Sequence, residues 1–280
     1  MDTNLHHRGT LSSALANALS RLASEGKSVF TIDEFASTMR RSKDRTRRIL
    51  SGLSSGGWVR RLTKGTYLLI PLDAGPESIW SEEAAVIAGH LAAPAALAYW
   101  SACHYWHWTE QAPRTVFVQT TQKKMHTSRR IMGVEYRFVT IRRKKFFAAT
   151  PRVSGHARII VTDREKTFVD AVDRPDLCGG IRHVIAMMPV AAERLRWNTL
   201  DEYLERIGSG AIYKRLGLML DMLGDAVHVP DRDRRLDAWH TRLTAGCAPL
   251  EPGGPCKGPI DGRWRVRMNA PGIPLRGSRR

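Results

Sequence analysis

The feature that most constrains the fold lies in residues 30–70, where two helix signals precede a hairpin signal. Four apolar residues recur at the i, i+3, i+4, i+7 spacing of one helix face: Ile32, Phe35, Ala36 and Met39. Thr31 stands directly before them, and Asp33 and Glu34 follow in what would be the first turn. A capping residue followed by acidic residues is typical of a helix start, so the pattern predicts a short helix after Thr31.

A second amphipathic helix is predicted after Ser42, which can cap it. Its apolar side repeats the same spacing through Thr46, Ile49, Leu50 and Leu53, and Gly56 and Gly57 stop it. The opposite side is polar and mostly basic, and includes Asp44, Arg47, Arg48 and Ser51. Residues 58–62 and 66–70 then read as two strands around Lys64 and Gly65, a turn that glycine makes easy.

This order of elements predicts a winged helix-turn-helix, whose first helix is supplied by the apolar stripe over residues 11–22. In such a module the helix that follows Ser42 enters a DNA major groove, and the hairpin wing reaches the adjacent backbone. The candidate DNA-binding residues are Lys43, Arg47, Arg48, Ser51, Arg60, Arg61 and Lys64. The alternative is that these are solvated charges on a small module that docks on protein.

The charge of the chain favours an anionic partner. Its 280 residues carry a formal net charge of +17, and residues 1–72 alone hold twelve Lys or Arg against five Asp or Glu. Such an excess suits nucleic acid, an acidic protein or a membrane surface. No apolar run reaches the roughly 18 residues that span a bilayer, and the first residues lack a signal peptide's apolar segment. We therefore expect a cytoplasmic protein that does not bind membranes. Four scattered cysteines without a CxxC indicate neither a disulfide framework nor a zinc ribbon.

Beyond a linker at residues 71–76 the sequence predicts a larger mixed α/β region. Helices are expected at 81–91, 95–108, 181–188, 200–207 and 211–223, and strands at 116–119, 134–141, 158–161 and 263–268. The predicted fold class is α+β. Its domains are an N-terminal winged helix-turn-helix domain at 1–72 and a C-terminal α/β domain at 73–280 that ends in a basic, Gly/Pro-rich tail.

A second basic zone lies between residues 121 and 152, where ten Lys or Arg face a single acid, Glu135. The zone could extend a nucleic-acid footprint or bind an acidic partner, or it could be a solvated sheet edge guarded by its charges. The residues of this candidate surface are Lys123, Lys124, Arg129, Arg130, Arg142, Arg143, Lys144 and Lys145.

A metal-dependent nuclease is an alternative from another class. Asp163, Glu165, Lys166 and Asp170 follow a predicted strand, and that chemistry needs carboxylates on a divalent ion with a lysine near the attacking water. Glu165 and Lys166 are adjacent, however, whereas residues on one side of a strand are separated by one position. Asp163 as the cap of a helix is the plainer interpretation.

Four segments carry a family resemblance: FTIDE at 30–34, KGTY at 64–67, DREKTFVDAVDRPDLCGGI at 163–181 and KRLG at 214–217. With them the chain, from about residue 11 to 269, resembles the AbiEi antitoxins of type IV toxin-antitoxin systems. The 163–181 block is the most specific part. The sequence departs from that family at 105–108, where a glycine-leucine pair is usual, and in its basic C-terminal extension.

The resemblance implies a phage-defence protein without a cofactor and without enzymatic activity of its own. Its winged helix would repress the operon by binding DNA repeats upstream, with dimerisation on paired repeats. Its C-terminal domain would counteract a nucleotidyltransferase-like toxin encoded beside it, without the need for a stable complex. A non-enzymatic RNA-binding protein that uses the 123–145 zone is a further alternative.

Overall fold

The computed structural model of the chain describes residues 10–70, 82–111, 113–123, 126–131, 133–154 and 157–273. The described residues combine α-helices with three sheets, which confirms the predicted α+β class. Packing divides the chain into two units. The first contains the described residues up to Leu97, with Arg114–Thr140 and Pro151–Ile160, and the second contains Ala98–Pro113, Ile141–Thr150 and the described residues from Val161 onward.

The N-terminal part of the first unit is a three-helix segment with a small antiparallel sheet. Its elements are α1 (Ser13–Ser24), β1 (Val29–Thr31), α2 (Ile32–Met39), α3 (Lys43–Ser55), β2 (Val59–Thr63) and β3 (Thr66–Leu69). The strand order is β1-β3-β2, so β3 lies between its hairpin partner and the short strand that precedes α2. The helices and strands predicted over residues 11–70 are thereby confirmed as elements.

One apolar core holds this segment together. Leu22, Phe30, Phe35 and Leu50 are almost completely buried in it, and Phe30 packs on Phe35 at 5.5 Å between ring centroids. Large buried aliphatic and aromatic side chains each contribute about 1.5–3 kcal/mol relative to exposure. The apolar stripes of α1, α2 and α3 all face this core, so their polar faces point outward.

The rest of the first unit contains α4 (Glu82–Leu91) and most of a six-stranded mixed sheet. The strands are β4 (Ala95–Leu97), β5 (Thr115–Thr120), β6 (Ser128–Ile131), β7 (Val134–Thr140), β8 (Ala149–Ser154) and β9 (Ala157–Thr162). Their order is β6-β7-β5-β4-β9-β8, with β5 and β7 parallel and β6 antiparallel to β7. The strands predicted at 116–119, 134–141 and 158–161 correspond to β5, β7 and β9.

The single helix predicted over residues 95–108 is wrong. Residues 95–97 form β4, and only α5 (Tyr99–Tyr105) is helical. Ala95 and Leu97 pair with Thr120 and Val118 of β5, so a run of good helix formers is recruited into a buried sheet. Pairing with a distant strand outweighs a local helix preference of less than about 1 kcal/mol per residue.

The second unit is mainly helical after β9. Its helices are α6 (Arg164–Asp173), α7 (Ile181–Ala192), α8 (Trp197–Ile207), α9 (Gly210–Leu223) and α10 (Arg232–His240). A small sheet of β10 (Ala248–Pro249), β11 (Ile260–Asp261) and β12 (Val266–Arg267) follows. The strand expected at 263–268 shortens to β12 because the chain turns at residues 262–265.

The predicted linker at 71–76 and the domain boundary at 72/73 lie outside the described residues. The division by packing groups the N-terminal segment with α4 and with β4 to β7.

Candidate nucleic-acid interface

Capping fixes the start of α2, and three buried side chains determine which face of α3 is exposed. Thr31 Oγ1 accepts a hydrogen bond from the Glu34 backbone N–H at 3.2 Å, and a Glu34 carboxylate oxygen accepts one from the Thr31 N–H at 2.7 Å. This reciprocal capping box starts α2 where the sequence predicts it. In α3, Thr46, Leu50 and Leu53 are buried, so the opposite face of the helix is turned to solvent.

The predicted basic residues of α3 lie on that outward face. Lys43 pairs with Asp33 at 2.8 Å, and Arg47 pairs with Asp44 at 2.6 Å, with both members of each pair largely exposed. Exposed pairs of this kind typically contribute 0–1 kcal/mol, so either cation can be transferred to a phosphate at little cost. Ser51 is exposed on the same face.

Arg48 and Arg45 are the cations of α3 that remain unengaged. Both are exposed, and neither side chain has a hydrogen bond or an ion pair to another described residue. Arg48 is one of the predicted contact residues and Arg45 is not, although the place of Arg45 in the basic first turn of the helix is a usable signal. Gly52 stands four residues after Arg48 and seven after Arg45, so the three share one stripe of the helix.

Gly52 leaves this stripe flat. A Cβ built at this glycine would meet no atom within 4 Å, so no packing requirement of the chain explains its place in a helix interior. Glycine there costs about 0.5–1 kcal/mol relative to alanine. What the missing side chain permits is close approach of another surface to the α3 backbone between Arg48 and Ser55.

The β2–β3 hairpin presents the second group of predicted residues. Arg60 and Arg61 are both exposed although they are neighbours on one strand, and directly after them the register of β2 against β3 shifts between Arg61 and Thr63. A bulge of this kind bends the strand and ends its regular alternation toward the hairpin turn. At the hairpin end Lys64 is exposed, and Gly65 adopts a φ of +81°, the left-handed turn conformation that glycine favours.

Part of the second candidate surface lies in the same unit. Lys123 and Arg130 are exposed, whereas the Arg129 guanidinium donates a hydrogen bond to the Leu62 carbonyl of β2. That contact holds β6 beside the basic hairpin. Lys124 lies outside the described residues.

The remaining residues of that surface belong to the second unit. Arg142, Arg143 and Lys144 are exposed at a 3-10 turn, and Lys145 is partly buried and pairs with Asp173 at 2.7 Å. The basic zone that is continuous in sequence is therefore divided between two units, and Arg129 and Lys145 serve contacts within the fold.

The residues of the nuclease alternative are engaged in structural pairs around α6. Asp163 caps the helix by accepting from the Lys166 N–H at 2.8 Å, and it also accepts from the Tyr203 hydroxyl at 2.8 Å. Lys166 is completely buried and pairs with Asp170 one turn later. Among the described residues, no group of three or more His, Cys, Asp or Glu side chains is arranged to hold a metal ion.

Burial and hydrogen bonding shift the carboxyl groups of Asp163 and Glu165 in opposite directions. Burial raises the pKa of Asp163 above its usual value, against the hydrogen bonds from Lys166 and Tyr203. Burial acts in the same sense on Glu165, but hydrogen bonds from the Arg196 side chain and backbone prevail and hold the pKa of Glu165 below its usual value. Both groups are thus accounted for by their neighbours in the second unit.

The KRLG segment at 214–217 likewise serves the fold. Lys214 Nζ donates to the Gly246 carbonyl at 2.8 Å, and Arg215 donates to the carbonyls of Val172 and Pro249 at 3.0 and 2.8 Å. Gly217 lies against the Trp264 ring, which would overlap with any side chain there. These residues tie α9 to α6 and to the C-terminal segment.

In fold, the chain is similar to the solved crystal structure of the RV2827C protein from Mycobacterium tuberculosis. The two have a TM-score of 0.62 and 15% sequence identity, and the match covers 94% of each chain. At this identity the likeness concerns the fold alone. No protein-family model matches the chain, and no curated protein matches its sequence. Within the part that the structure describes, there is no helix long and apolar enough to cross a membrane.

Proposed function

We propose that this protein is a DNA-binding repressor and an antitoxin of the AbiEi kind. In this proposal residues 10–70 are a winged helix-turn-helix, with α3 in the major groove and the β2–β3 hairpin on the adjacent backbone. The observation that carries the proposal is the outward stripe of α3. There Arg45 and Arg48 are exposed without partners among the described residues, and Gly52 leaves the backbone open to close approach.

The hairpin supports the same function. Arg60, Arg61 and Lys64 add positive charge beside α3, where a duplex that fills the groove with the helix would bring its phosphates. Arginine is suited to both tasks, because its guanidinium can form two parallel hydrogen bonds to a guanine edge or to a phosphate. Lys43 and Arg47 would add to these contacts, because each can leave the carboxylate of its exposed ion pair and bind a phosphate instead.

The antitoxin role rests on the resemblance at 163–181 and 214–217. Those segments form the capped, buried helix α6 and its ties to α9, so the resemblance concerns residues that determine the fold of the second unit. A nucleotidyltransferase-like toxin is the functional partner in this proposal. The protein would act in the cytoplasm without a cofactor or an enzymatic activity of its own, and would dimerise on paired operator repeats.

The first test is fluorescence anisotropy with DNA from directly upstream of the gene and with scrambled DNA, at several salt concentrations. We expect selective binding that Arg48→Ala and Arg45→Ala each weaken by about tenfold, the usual loss for an arginine that contacts a base edge. Arg194→Ala is the matched control, because Arg194 is an exposed arginine of the second unit whose side chain has no partner among the described residues. Circular dichroism would show that all variants keep the fold.

Equal affinity for upstream and scrambled DNA would contradict operator recognition. Nicking of plasmid DNA that requires magnesium or manganese and disappears in Asp163→Ala would support the nuclease alternative. The antitoxin half has its own test, which is growth rescue in cells that express the neighbouring gene product. Absence of rescue by the full chain would remove that half and leave the repressor half intact.

A further inference from the structure

A cleft of about 310 Å³ lies within the second unit, between α8, α9 and the region of α10. It lies at the lower end of the volumes of small-molecule sites, which are about 300–1,000 Å³. Its walls include the rings of Tyr213 and Trp239, and its mouth includes the guanidinium groups of Arg234 and Arg242. None of these side chains is used by the proposed DNA-binding surface.

The base of the cleft is held in place by hydrogen bonds, and its one carboxylate and one guanidinium neutralise each other. Asp201 accepts a hydrogen bond from the Trp239 indole N–H at 2.8 Å and pairs with Arg235. Arg235 is buried, and the nitrogen that pairs with Asp201 also donates to the Trp197 carbonyl at 3.1 Å, while its other two nitrogens donate to the Asn198 side chain at 3.2 Å and to the Pro230 carbonyl at 3.3 Å. With every group satisfied, Asp201 and Arg235 provide a rigid base and are not available to a ligand.

Tyr213 is the group of the cleft that lacks a partner. The residue is 4% exposed and lines the cleft, and its hydroxyl makes no hydrogen bond to another described residue. The hydroxyl oxygen keeps solvent access where the residue lines the cleft, so a ligand there can become its hydrogen-bond partner. Burial, followed by Glu205, raises the pKa of the Tyr213 phenol. The group therefore stays protonated at neutral pH and can donate to an acceptor in the cleft.

The two arginines at the mouth of the cleft can leave their present ion pairs to bind a ligand. Arg242 pairs with Glu205 at 2.9 Å and Arg234 pairs with Asp231 at 2.8 Å, and all four side chains are more than half exposed. Such pairs are weak, and an arginine gains more from two hydrogen bonds to a dianionic oxyanion. Three arginines and two carboxylates line the cleft, which leaves it with one positive charge in excess.

We infer that this cleft binds a small phosphate monoester, with its organic group on the Tyr213 and Trp239 rings and its phosphate held by the Tyr213 hydroxyl, Arg242 and Arg234. An apolar wall below a cationic mouth matches a ligand that is apolar at one end and doubly charged at the other. Glu205 competes with the phosphate for Arg242, so it acts against the ligand. This assignment is independent of the proposed DNA binding.

The test is isothermal titration calorimetry of the full chain with phenyl phosphate, inorganic phosphate and benzyl alcohol. We expect saturable binding of phenyl phosphate, weaker binding of inorganic phosphate, and none of the neutral alcohol. Tyr213→Phe and Arg242→Gln should each weaken phenyl phosphate on the order of tenfold, as for loss of one hydrogen bond to a charged group. Glu205→Gln should tighten it, because the competing carboxylate is removed.

Arg194→Gln and Arg48→Ala are the controls, since both remove an exposed arginine outside the cleft, and neither should change the affinity. No saturable binding at millimolar phenyl phosphate would overturn the inference. So would affinity that Tyr213→Phe leaves unchanged, or affinity that Arg48→Ala reduces as much as Arg242→Gln does. The melting temperature of each variant separates loss of the site from loss of the fold.

Discussion

At the residue scale, the charged side chains of this protein fall into two kinds. Arg45 and Arg48 are exposed without partners among the described residues, whereas Lys166 is completely buried between Asp170 and the Phe147 ring, 5.2 Å from the ring centroid. A buried charge persists only when it is paired, because its desolvation is costly. The buried kind therefore maintains the fold, and the exposed kind is free to bind.

At Glu165, the contribution of a buried charged side chain to stability can be tested by measuring unfolding at several pH values. Hydrogen bonds from Arg196 lower its pKa, so the carboxylate stabilises the fold above its usual value of 4.5, and this stabilisation is lost as the pH falls through the lower, folded value. We expect Glu165→Gln to reduce the free energy of unfolding by about 1–3 kcal/mol at pH 7. The difference from the unmodified protein should shrink below pH 4.5. Urea unfolding at pH 7, 5 and 3.5 measures it.

Glu193→Gln is the matched control, because Glu193 is an exposed glutamate of the same unit whose side chain has no partner among the described residues. It should change stability by less than about 0.5 kcal/mol at every pH. A Glu165→Gln penalty that stays constant down to pH 3.5 would contradict the assigned role of the Arg196 pair.

At the element scale, α3 has an apolar face that packs in the core and an outer face on which a glycine lowers the stability of the helix. Gly52 is exposed and unpacked, so Gly52→Ala should stabilise the protein by about 0.5–1 kcal/mol. If the stripe of Arg45, Arg48 and Gly52 lies in a DNA groove, the added methyl group should weaken operator binding. The expected result is a higher melting temperature together with a lower affinity in anisotropy.

Gly89→Ala separates the two effects. Gly89 also lies in a helix, α4, with no atom within 4 Å of a built Cβ, so its substitution should raise stability similarly. It should leave operator affinity unchanged, since α4 carries none of the proposed contacts. Operator affinity that Gly52→Ala does not alter would exclude this stripe of α3 from the interface.

At the scale of the whole molecule, the net charge of +17 predicts a strong dependence of DNA affinity on salt. The logarithm of the affinity should fall with the logarithm of salt concentration by about 0.9 for each phosphate contacted. Arg129 holds β6 beside the hairpin, so its exposed neighbours Lys123 and Arg130 are expected to reach phosphates. The double variant Lys123→Ala with Arg130→Ala should reduce the slope by roughly two.

Arg234→Ala with Arg194→Ala removes the same charge from the second unit and is the control for a general effect of net charge. An equal loss of slope in both double variants would show that β6 makes no particular contact with DNA. An unchanged slope in both would confine the phosphate contacts to α3 and the hairpin.

Much of the N-terminal segment was predictable from its sequence, because the signals there are local. Apolar spacing identifies the buried face of a helix, and Thr31 with Glu34 forms the capping box within four residues of chain. The exposed, basic character of Lys43 and Arg48 followed from the same spacing, and that of Lys64 followed from the turn signal at Gly65. Arg61, another of the predicted contact residues, is exposed as well, and the register shift that follows it is not revealed by the sequence.

Only the tertiary structure decided which distant segments meet. It paired Ala95–Leu97 with β5 against their helix preference, and it divided one basic run between two units. It also joined Arg129 to Leu62 and enclosed Tyr213 between three helices. The sequence by itself determined caps, faces and charge, because those depend on neighbours within one or two turns. Strand partners, buried ion pairs and the cleft depend on packing between residues far apart in the chain, which local patterns do not specify.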